Sequence, residues 1–356
     1  MKKKILINGP YPPLFSYGGP TRSIEGLFET LVEDFKCIVI SPKKQLNSNN
    51  EVDIKNQEKK VIYTNYEFFE ILKRFYKFEV LWLNSFFEFK TIFFVYLSLF
   101  LRKKVIVSPR GQFAREAIIS SNPNLKFFFI KLIKPIHSQI IFHSTSGDEK
   151  NNILRFYNKS EIVEIPNISK VEFYENKSTE KRYLFFSRIH KKKGLDIILK
   201  YLKENSLNIN LDICGFIEDQ KYWEYCKTLM SNSPNIKYIG EIGDGNISRL
   251  REKYMFFIFP TLNENFGHVI VELISEGIIP ILSKGTTPFE DVTSKFIDLN
   301  FNLESSMDFK ISIEKSLSLD KGQIKVLRKN LKEIYSKFKI QETVHKKDYI
   351  NFINQI

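Results

Sequence analysis

Short apolar runs alternate with longer amphipathic segments along the first half of the chain. The apolar runs are rich in Ile, Val, Leu or Phe and lie near turn residues, which predicts strands at 4–8, 36–41, 79–83, 104–108, 138–142 and 161–165. The segments between them predict helices at 21–34, 67–76, 86–101, 124–134 and 147–157. Alternating strands and helices are typical of a parallel sheet covered by helices on both faces.

The alternation stops at 166–181, a polar stretch without periodicity that we interpret as a linker. A second series then predicts strands at 182–187, 209–214, 235–239, 255–259 and 279–282, with helices at 193–204, 219–231, 244–253 and 267–277. The pattern after residue 305 predicts helix to the end of the chain. We therefore predict an α/β protein with two doubly wound, Rossmann-like domains, 1–170 and 171–335, facing across a cleft. A C-terminal helix, 336–356, is expected to pack back on the first domain.

In doubly wound sheets, ligands bind at the carboxyl ends of the strands, so candidate chemistry is sought there. The loop and helix after strand 255–259 hold two carboxylates, Glu264 and Glu272, which can accept hydrogen bonds from the vicinal hydroxyls of a sugar or ribose. Free backbone N–H groups near the start of the helix can donate to a ligand oxygen. The residues between the two glutamates that contribute to this motif are Asn265, Phe266, Gly267 and His268. A capping residue followed by a solvated glutamate is the simpler alternative for the pair alone, and His268 fits ligand contact and packing equally well.

Two cations follow strand 182–187. Arg188 lies at the strand end, and Lys193 precedes Gly194 at the start of the next helix. Fixed cations at such a position can stabilise the negative charge of a departing diphosphate without a metal ion. The chain contains no D-x-D triplet, the simplest carboxylate pair for holding a metal–diphosphate. Its absence from the sequence favours binding of the diphosphate by the cationic side chains themselves.

A third candidate lies between the first predicted strand and helix, where Gly18 and Gly19 allow the backbone to approach a ligand closely. A Gly-Gly loop is a weak signal by itself. The chain contains neither the G-x-G-x-x-G dinucleotide fingerprint nor a P-loop.

The composition of the chain limits the classes of molecule that it is expected to bind. The 356 residues carry a net charge of +13, which attracts nucleic acid, nucleotides, phosphosugars or anionic lipid. Three cysteines without a paired spacing suggest neither a disulfide framework nor a zinc site and fit a reducing cytoplasm. The longest uncharged apolar run, Thr91 to Leu101, is well short of the ~20 residues that span a bilayer. The aromatic and basic stretches 85–101 and 126–134 suit either core helices with cationic outer faces or peripheral contact with an anionic inner membrane.

Together these motifs resemble the large family of retaining glycosyltransferases with the GT-B fold, family 4 (glycosyl transferases group 1), over about residues 5 to 295. The E-x7-E spacing of Glu264 and Glu272 and the Arg188…Lys193-Gly194 segment carry the resemblance. Three further segments resemble the subgroup that assembles polysaccharide and lipopolysaccharide: 108–111, 143–149 and 165–167.

The resemblance implies roles for these residues. Arg188 and Lys193 would hold the donor diphosphate, Glu272 the ribose, and Glu264 the transferred sugar, with Arg188, Lys193 and Glu264 as the catalytic set. The remaining implied donor contacts are Gly18, Gly19, Asn265, Phe266, Gly267 and Thr286, with Thr287 beside the last. No metal cofactor is implied, and the donor would be a UDP-, GDP- or similar nucleotide-activated sugar.

One position departs from the family. Many members have His-Gly after a strand of the first domain, with the His near the reacting sugar, whereas this chain has Arg110-Gly111. Arginine cannot act as a general base at neutral pH. We place Arg110 and His268 on the acceptor or sugar side, where Arg110 would contact the donor phosphate or an acidic acceptor. This fits retention by front-face departure, in which the leaving phosphate takes the acceptor proton.

The expected function is therefore transfer of a hexose-type sugar to a glycan or lipid-linked acceptor in bacterial surface polysaccharide synthesis (capsule, O-antigen or lipopolysaccharide). The expected location is the cytoplasm, with peripheral contact at the inner face of the cytoplasmic membrane as a further option. One alternative is another nucleotide-sugar enzyme, of the epimerase or phosphorylase type. The other is a basic module that binds nucleic acid or membrane without catalysis. The ordered cations lie inside a donor-site pattern, so no nucleic-acid partner is expected.

Overall fold

The computed structural model describes residues 2–12, 18–43, 61–120, 122–169, 171–231, 233–242, 244–262, 264, 266–287, 289 and 298–356. The chain divides into two compact units, one of residues 1–168 with 342–356 and the other of residues 169–341. The sequence placed the boundary at 170/171 and the returning helix at 336–356. In the structure the returning segment begins inside a longer helix, at Glu342.

The first unit contains a parallel sheet of seven described strands in the order β3-β2-β1-β4-β5-β6-β7. The strands are β1 Lys4–Asn8, β2 Lys36–Pro42, β3 Val61–Thr64, β4 Val80–Leu83, β5 Lys104–Val107, β6 Ile141–Ser144 and β7 Glu161–Glu164. The helices are α1 Gly19–Leu31, α2 Glu67–Phe75, α3 Phe89–Phe100, α4 Arg115–Ser120, α5 Pro123–Ile133 and α6 Gly147–Leu154. The strand order reverses between β1 and β4, which is the topological switch point of a doubly wound sheet.

Helices cover both faces of this sheet because its central strands are apolar throughout. Alternate residues of β4 enter different cores: Leu81 packs with the helices α2, α3 and α5, whereas Trp82 packs with α1 and the C-terminal helix. This is the period-two alternation of a strand buried on both sides. At the start of α6, Ser146 caps the helix by accepting from the N–H of Glu149.

The second unit contains five described parallel strands in the order β10-β9-β8-β11-β12. The strands are β8 Arg182–Phe186, β9 Asn210–Cys214, β10 Ile236–Tyr238, β11 Phe256–Phe259 and β12 Ile279–Leu282. The helices are α7 Leu195–Glu204, α8 Gln220–Met230, α9 Leu250–Lys253, α10 His268–Ser275, α11 Ser306–Ser318 and α12 Lys321–Gln355. The switch point here lies between β8 and β11, the two strands followed by the predicted donor residues.

Three elements of the first unit differ from the sequence expectation, and one of them is the short helix α4, which was not predicted. The strand predicted at 138–142 begins at Ile141, because His137–Gln139 form a 3-10 turn that the Ser160 hydroxyl stabilises by donating to the His137 carbonyl. The edge strand β3 was not predicted, since its Val-Ile-Tyr-Thr run is only half-buried and lacks alternation.

The C-terminal helix α12 begins in the second unit, and its last turns belong to the first. There Tyr349 closes a buried polar chain: the Trp82 indole donates to Ser108 Oγ (2.7 Å), which lies 2.9 Å from His143 Nδ1, and His143 Nε2 lies 2.9 Å from the Tyr349 hydroxyl. The carbonyl of Ile165 accepts at the same end of the imidazole, 3.0 Å from Nε2. The end of α12 is therefore fixed to the first unit by polar contacts as well as by apolar packing.

From residue 171 onward, the linker predicted at 166–181 packs on the second unit, whereas Asn167 and Ile168 belong to the first. The N–H of Tyr174 donates to the carbonyl of Ser275 (2.7 Å), and the Asn176 amide donates to the carbonyl of Tyr254 (2.8 Å). These bonds satisfy the backbone at the ends of α10 and α9, so the segment is irregular yet specifically held.

Candidate functional site

The loops that follow β8 and β11 meet at the switch point of the second sheet. Lys193 and Glu264, 71 residues apart, form an ion pair between Nζ and Oε2. Their side chains are 13% and 21% exposed, so water screens the pair only in part. The Lys193 ammonium also lies 5.5 Å from the centre of the Phe259 ring, a cation–π position.

Backbone contacts hold the two loops together. The N–H of Leu262 donates to the carbonyl of Lys192 (2.9 Å), and the Thr261 hydroxyl donates to the same carbonyl (3.3 Å). Gly194 has a φ of +68°, and a Cβ placed on it would lie 2.0 Å from the carbonyl oxygen of Pro260. Only a residue without a side chain allows this approach, so Gly194 fixes the height of Lys193 above β11.

A third loop, after β12, positions Glu264 from its other side. The N–H of Glu264 donates to the carbonyl of Thr286 (2.9 Å), while the Thr286 hydroxyl lies 2.6 Å from Ser283 Oγ. Ser283 Oγ in turn lies 2.9 Å from the carbonyl of Thr261. The side chain predicted to line the nucleotide pocket, Thr286, thus turns toward Ser283, and its backbone orients the carboxylate.

Helix α10 begins immediately after Gly267, which has a φ of +76°. Glu272 lies within this helix and is buried. The ring of His268 is buried against Phe266, with centroids 4.6 Å apart, which supports the packing alternative for this histidine. Asn265 lies outside the described residues.

Arg188 follows β8 but pairs with a different carboxylate. Its Nη1 lies 2.9 Å from Oε2 and 3.0 Å from Oε1 of Glu218, and both side chains are more than a third exposed. Glu218 was not predicted as a partner of Arg188. Because β8 and β9 are adjacent parallel strands, however, the residues that follow them lie at the same edge of the sheet. His190 accepts from the N–H of Lys192 (3.2 Å), and burial lowers the pKa of His190, which keeps its ring available as an acceptor.

The arrangement therefore places two cations at one sheet edge, each beside a carboxylate. A diphosphate is a stronger and more highly charged hydrogen-bond acceptor than one carboxylate. It can therefore bind the two cations together with the carboxylates or in their place. Among the residues that the structure describes, no group of three or more His, Cys, Asp or Glu side chains is placed to hold a metal ion.

In the first unit, Gly18 lies at the amino end of α1 with a φ of +65°, and Gly19 is the first residue of that helix. The carbonyl of Gly18 accepts from the N–H of Thr21 (3.1 Å). These residues follow β1 at the switch point of the first sheet, the position that the sequence indicated for close backbone approach.

Arg110 is held between two asparagines. Its Nε and Nη2 donate to Asn84 Oδ1 (3.1 and 2.7 Å), and its Nη1 donates to Asn167 Oδ1 (2.6 Å). Neither partner is charged, and burial lowers the pKa of the Arg110 guanidinium, partly opposed by the nearby Glu149 carboxylate. The sequence did not indicate these two partners, although Asn84 follows β4 at a strand end.

The backbone at this turn is also constrained. Arg110 has a φ of +54°, which an arginine adopts at some cost. The carboxylate of buried Glu149 accepts from the N–H of Gly111 (2.6 Å) and from the N–H and hydroxyl of Thr145 (2.8 Å each). The turn is therefore fixed by α6, and the guanidinium by the asparagines.

Residues 167–335, nearly the whole second unit, match the family Glycosyl transferases group 1. The chain carries a glycosyl transferases group 1 domain and is a glycosyltransferase. The prediction of a glycosyltransferase is thereby confirmed. The matched residues include every described donor-site candidate except Gly18 and Gly19.

Solved structures resemble the glycosyltransferase over its whole length. Sucrose-phosphate synthase from Thermosynechococcus elongatus has a TM-score of 0.76 at 14% identity, covering 100% of each chain. HepE of Anabaena, solved in complex with UDP and glucose, has a TM-score of 0.73 at 11% identity, covering 99% of this chain and 100% of that one. The trehalose-6-phosphate synthase OtsA has a TM-score of 0.68 at 10% identity, covering 99% of each chain. These similarities confirm the predicted α/β, GT-B fold class.

A comparison with curated protein sequences gave no match. Within the described part of the glycosyltransferase, no helix combines the length and apolar character needed to cross a membrane.

Proposed function

We propose that the second unit binds a nucleotide diphosphate sugar and that the enzyme is a retaining, metal-independent member of family 4. Lys193 and Arg188 bind the diphosphate, and Glu272 binds the ribose. Glu264 and the backbone at Phe266 and Gly267 hold the transferred sugar. The further predicted donor contacts are Gly18, Gly19, Asn265 and Thr286.

The ion pair of Lys193 and Glu264 at the switch point is the observation that carries this proposal. It brings a cation for a phosphate and a carboxylate for sugar hydroxyls into contact, at the edge where α/β sheets bind nucleotides. Both side chains are held by loops bonded to each other, so the pair is positioned before the donor arrives. HepE, which shares the fold, is solved with UDP-glucose, which supports the choice of donor class.

The chemistry assigned to these residues follows from their charge. As the bond between the anomeric carbon and the diphosphate oxygen breaks, its electron pair passes to that oxygen. Lys193 and Arg188 stabilise the developing charge through charge-assisted hydrogen bonds. The acceptor hydroxyl bonds to the same face of the anomeric carbon, and its proton passes to the departing phosphate oxygen. No arginine or lysine need act as a base in this scheme.

For the acceptor we propose a glycan or lipid-linked oligosaccharide of a bacterial surface polysaccharide, and a hexose as the transferred sugar. The segments 108–111, 143–149 and 165–167, which suggested this subgroup, come together around one residue: Arg110 binds Asn167, and Gly111 binds Glu149. A half-buried guanidinium with neutral partners retains its positive charge for an anionic group. This supports an acceptor that carries a phosphate or carboxylate near the hydroxyl that reacts.

The first experiment is a thermal-shift screen of UDP, GDP, ADP, CMP and their sugars, each with and without EDTA. Wild type is compared with Lys193→Met, Glu272→Gln and the matched control Glu314→Gln, an exposed glutamate on α11. One nucleoside diphosphate should raise the midpoint in wild type and in the control. EDTA should not alter the shift, and both site variants should reduce it.

Stabilisation that disappears in EDTA would contradict the metal-independent assignment. Equal shifts in wild type and both site variants would place the nucleotide elsewhere. A parallel product assay tests the alternatives. Formation of sugar 1-phosphate from a glycan and inorganic phosphate would favour the phosphorylase alternative, and an epimerised nucleotide sugar would favour the epimerase alternative.

A further inference from the structure

A row of aromatic side chains runs along the outside of α3 in the first unit. Phe89, Phe93, Tyr96 and Phe100 recur at intervals of four, three and four residues, which places them on one side of the helix. All four are exposed, up to 82% at Phe100. The opposite side of the same helix supplies Phe94 and Val95 to the core. The helix thus has apolar residues on both sides, and the core explains only one.

The row continues onto the neighbouring helices. Phe68 of α2 contacts both exposed Phe69 (5.5 Å) and Phe93 (4.9 Å between ring centroids). Phe129 of α5 contacts both Phe89 (4.9 Å) and exposed Phe128 (6.1 Å). We call Phe69, Phe89, Phe93, Tyr96, Phe100 and Phe128 the aromatic face. Because it spans three helices side by side, it is a continuous surface, of a kind that monomeric soluble proteins rarely expose.

The charge around the aromatic face is one-sided at its α5 end. Residues 123–134, which include α5, contain three lysines and no Asp or Glu, whereas Glu67, Glu70 and Glu88 lie near the α2 end. Lys131 and Lys134 lie exposed at the end of α5. The Tyr96 hydroxyl donates to the carbonyl of Leu132 (2.6 Å), which holds this end of α5 against the middle of the aromatic row. Cations therefore adjoin the rings rather than lying on a separate surface.

We propose that the aromatic face docks on an anionic lipid bilayer, with its rings at the headgroup boundary and its lysines on lipid phosphates. Amphipathic aromatic side chains favour that boundary, and basic residues beside it are attracted by anionic lipid. A second copy of this chain fits less well, since overlaying the α5 ends of two such faces would bring their lysines together. Single-stranded nucleic acid fits less well, since these rings project from a layer of helices instead of lining a groove. The inference goes beyond the proposed function, because it needs no donor and none of the residues of the second unit.

The test is co-sedimentation of the full chain with phosphatidylcholine vesicles, with and without phosphatidylglycerol, at low and high salt. Wild type should sediment with the anionic vesicles at low salt and be released by salt. The double variant Lys131→Glu/Lys134→Glu should bind at least about tenfold more weakly. Its control, Lys325→Glu/Lys329→Glu on α12, makes the same charge change on the second unit and should bind as wild type does.

Phe100→Trp reports contact of the face itself. Its emission should shift to shorter wavelength with anionic vesicles and be quenched by brominated lipid, whereas Ile311→Trp, exposed on α11, should show neither effect. No sedimentation of wild type at low salt would overturn the proposal. Three other outcomes would also overturn it. The two charge-reversal variants could lose vesicle binding equally, or the emission of Phe100→Trp could stay unchanged on vesicles. Wild type could also form a dimer that Phe100→Ser dissociates. Nucleotide stabilisation of Lys131→Glu/Lys134→Glu is measured in parallel, so a failure of docking and a failure of the donor assignment are distinguishable.

Discussion

A Cβ on Gly194 would lie 2.0 Å from the carbonyl oxygen of Pro260. This close approach places the loop that carries Lys193 beside the end of β11. It thereby brings Lys193 next to Glu264, although the two residues are distant in the sequence. The conformation of one glycine thus supports the ion pair on which the donor assignment rests.

Gly194→Ala should therefore destabilise the second unit and weaken its response to nucleotide. Gly240→Ala is the matched control, because Gly240 also has a positive φ (+83°) but a Cβ added to it would meet no atom within 4 Å. The control carries only the conformational cost, about 1 kcal/mol. Gly194→Ala should cost about 1–3 kcal/mol more, from overpacking. Urea unfolding, with hydrogen exchange of β8 and β11, measures both; equal losses in the two variants would show that the loop yields without cost.

Substitutions of Glu264 and of Lys193 are expected to affect binding and turnover differently. Lys193→Met removes the phosphate cation, so both binding of the nucleoside diphosphate and transfer should decrease. Glu264→Gln retains the Lys193 ammonium and removes only the charge of its carboxylate partner, so diphosphate binding should persist. The value of kcat should fall by about 10²–10³, the range for loss of one preorganised polar group. Isothermal titration and a transfer assay separate the two. Loss of diphosphate binding in Glu264→Gln would mean that the carboxylate chiefly positions the lysine.

Arg188 forms an ion pair with Glu218, so Glu218 competes with the donor diphosphate for this cation. Exposed ion pairs are worth about 0–1 kcal/mol. Glu218→Gln should accordingly tighten nucleoside diphosphate binding, by up to about fivefold. The gain should shrink at high salt, since both side chains are exposed. Weaker binding in Glu218→Gln would instead show that Glu218 orients Arg188 for the phosphate.

The sequence predicts the elements of this fold well because both sheets are parallel and buried. Runs such as Val-Leu-Trp-Leu in β4 and Phe-Phe-Ile-Phe in β11 are apolar without interruption, and polar residues follow each of them at the same sheet edge. The half-buried edge strand β3 lacks that pattern and was missed. The candidate donor residues could be selected for the same reason, since Arg188, Lys193 and Glu264 follow central strands of the second sheet.

Partners within the site could not be predicted from spacing. Whether Lys193 pairs with Glu264 or with Glu218 depends on loop geometry. That geometry is set by the conformation of Gly194, two backbone hydrogen bonds and one hydrogen bond from the Thr261 hydroxyl. Thr286 illustrates the limit: its position after β12 was indicated, but the rotation of its side chain toward Ser283 was not. Arg110 likewise stood out in the sequence, whereas its two asparagine partners come from distant segments.

The buried chain through His143 predicts a dependence of stability on pH. Burial, with Arg110 nearby, lowers the pKa of His143 to about 3 from 6.5. In the window between these values the unfolded chain binds a proton that the folded first unit does not. This contribution to stability is therefore fully present above pH 6.5 and is lost as pH falls toward 3, with a slope of up to about 1.4 kcal/mol per pH unit.

His143→Gln keeps a neutral polar side chain and removes the titration. At neutral pH it should lower the free energy of unfolding of the first unit, because the contacts to Ser108 and Tyr349 are imperfectly replaced. The difference from wild type should narrow as pH falls below about 6.5. Trp82 contacts this histidine, and the chain's only other tryptophan is Trp223 in the second unit, so a Trp223→Phe background makes fluorescence report on the first unit alone. Parallel pH profiles for the two proteins would show that another group determines acid sensitivity and that His143 titrates alike in both states.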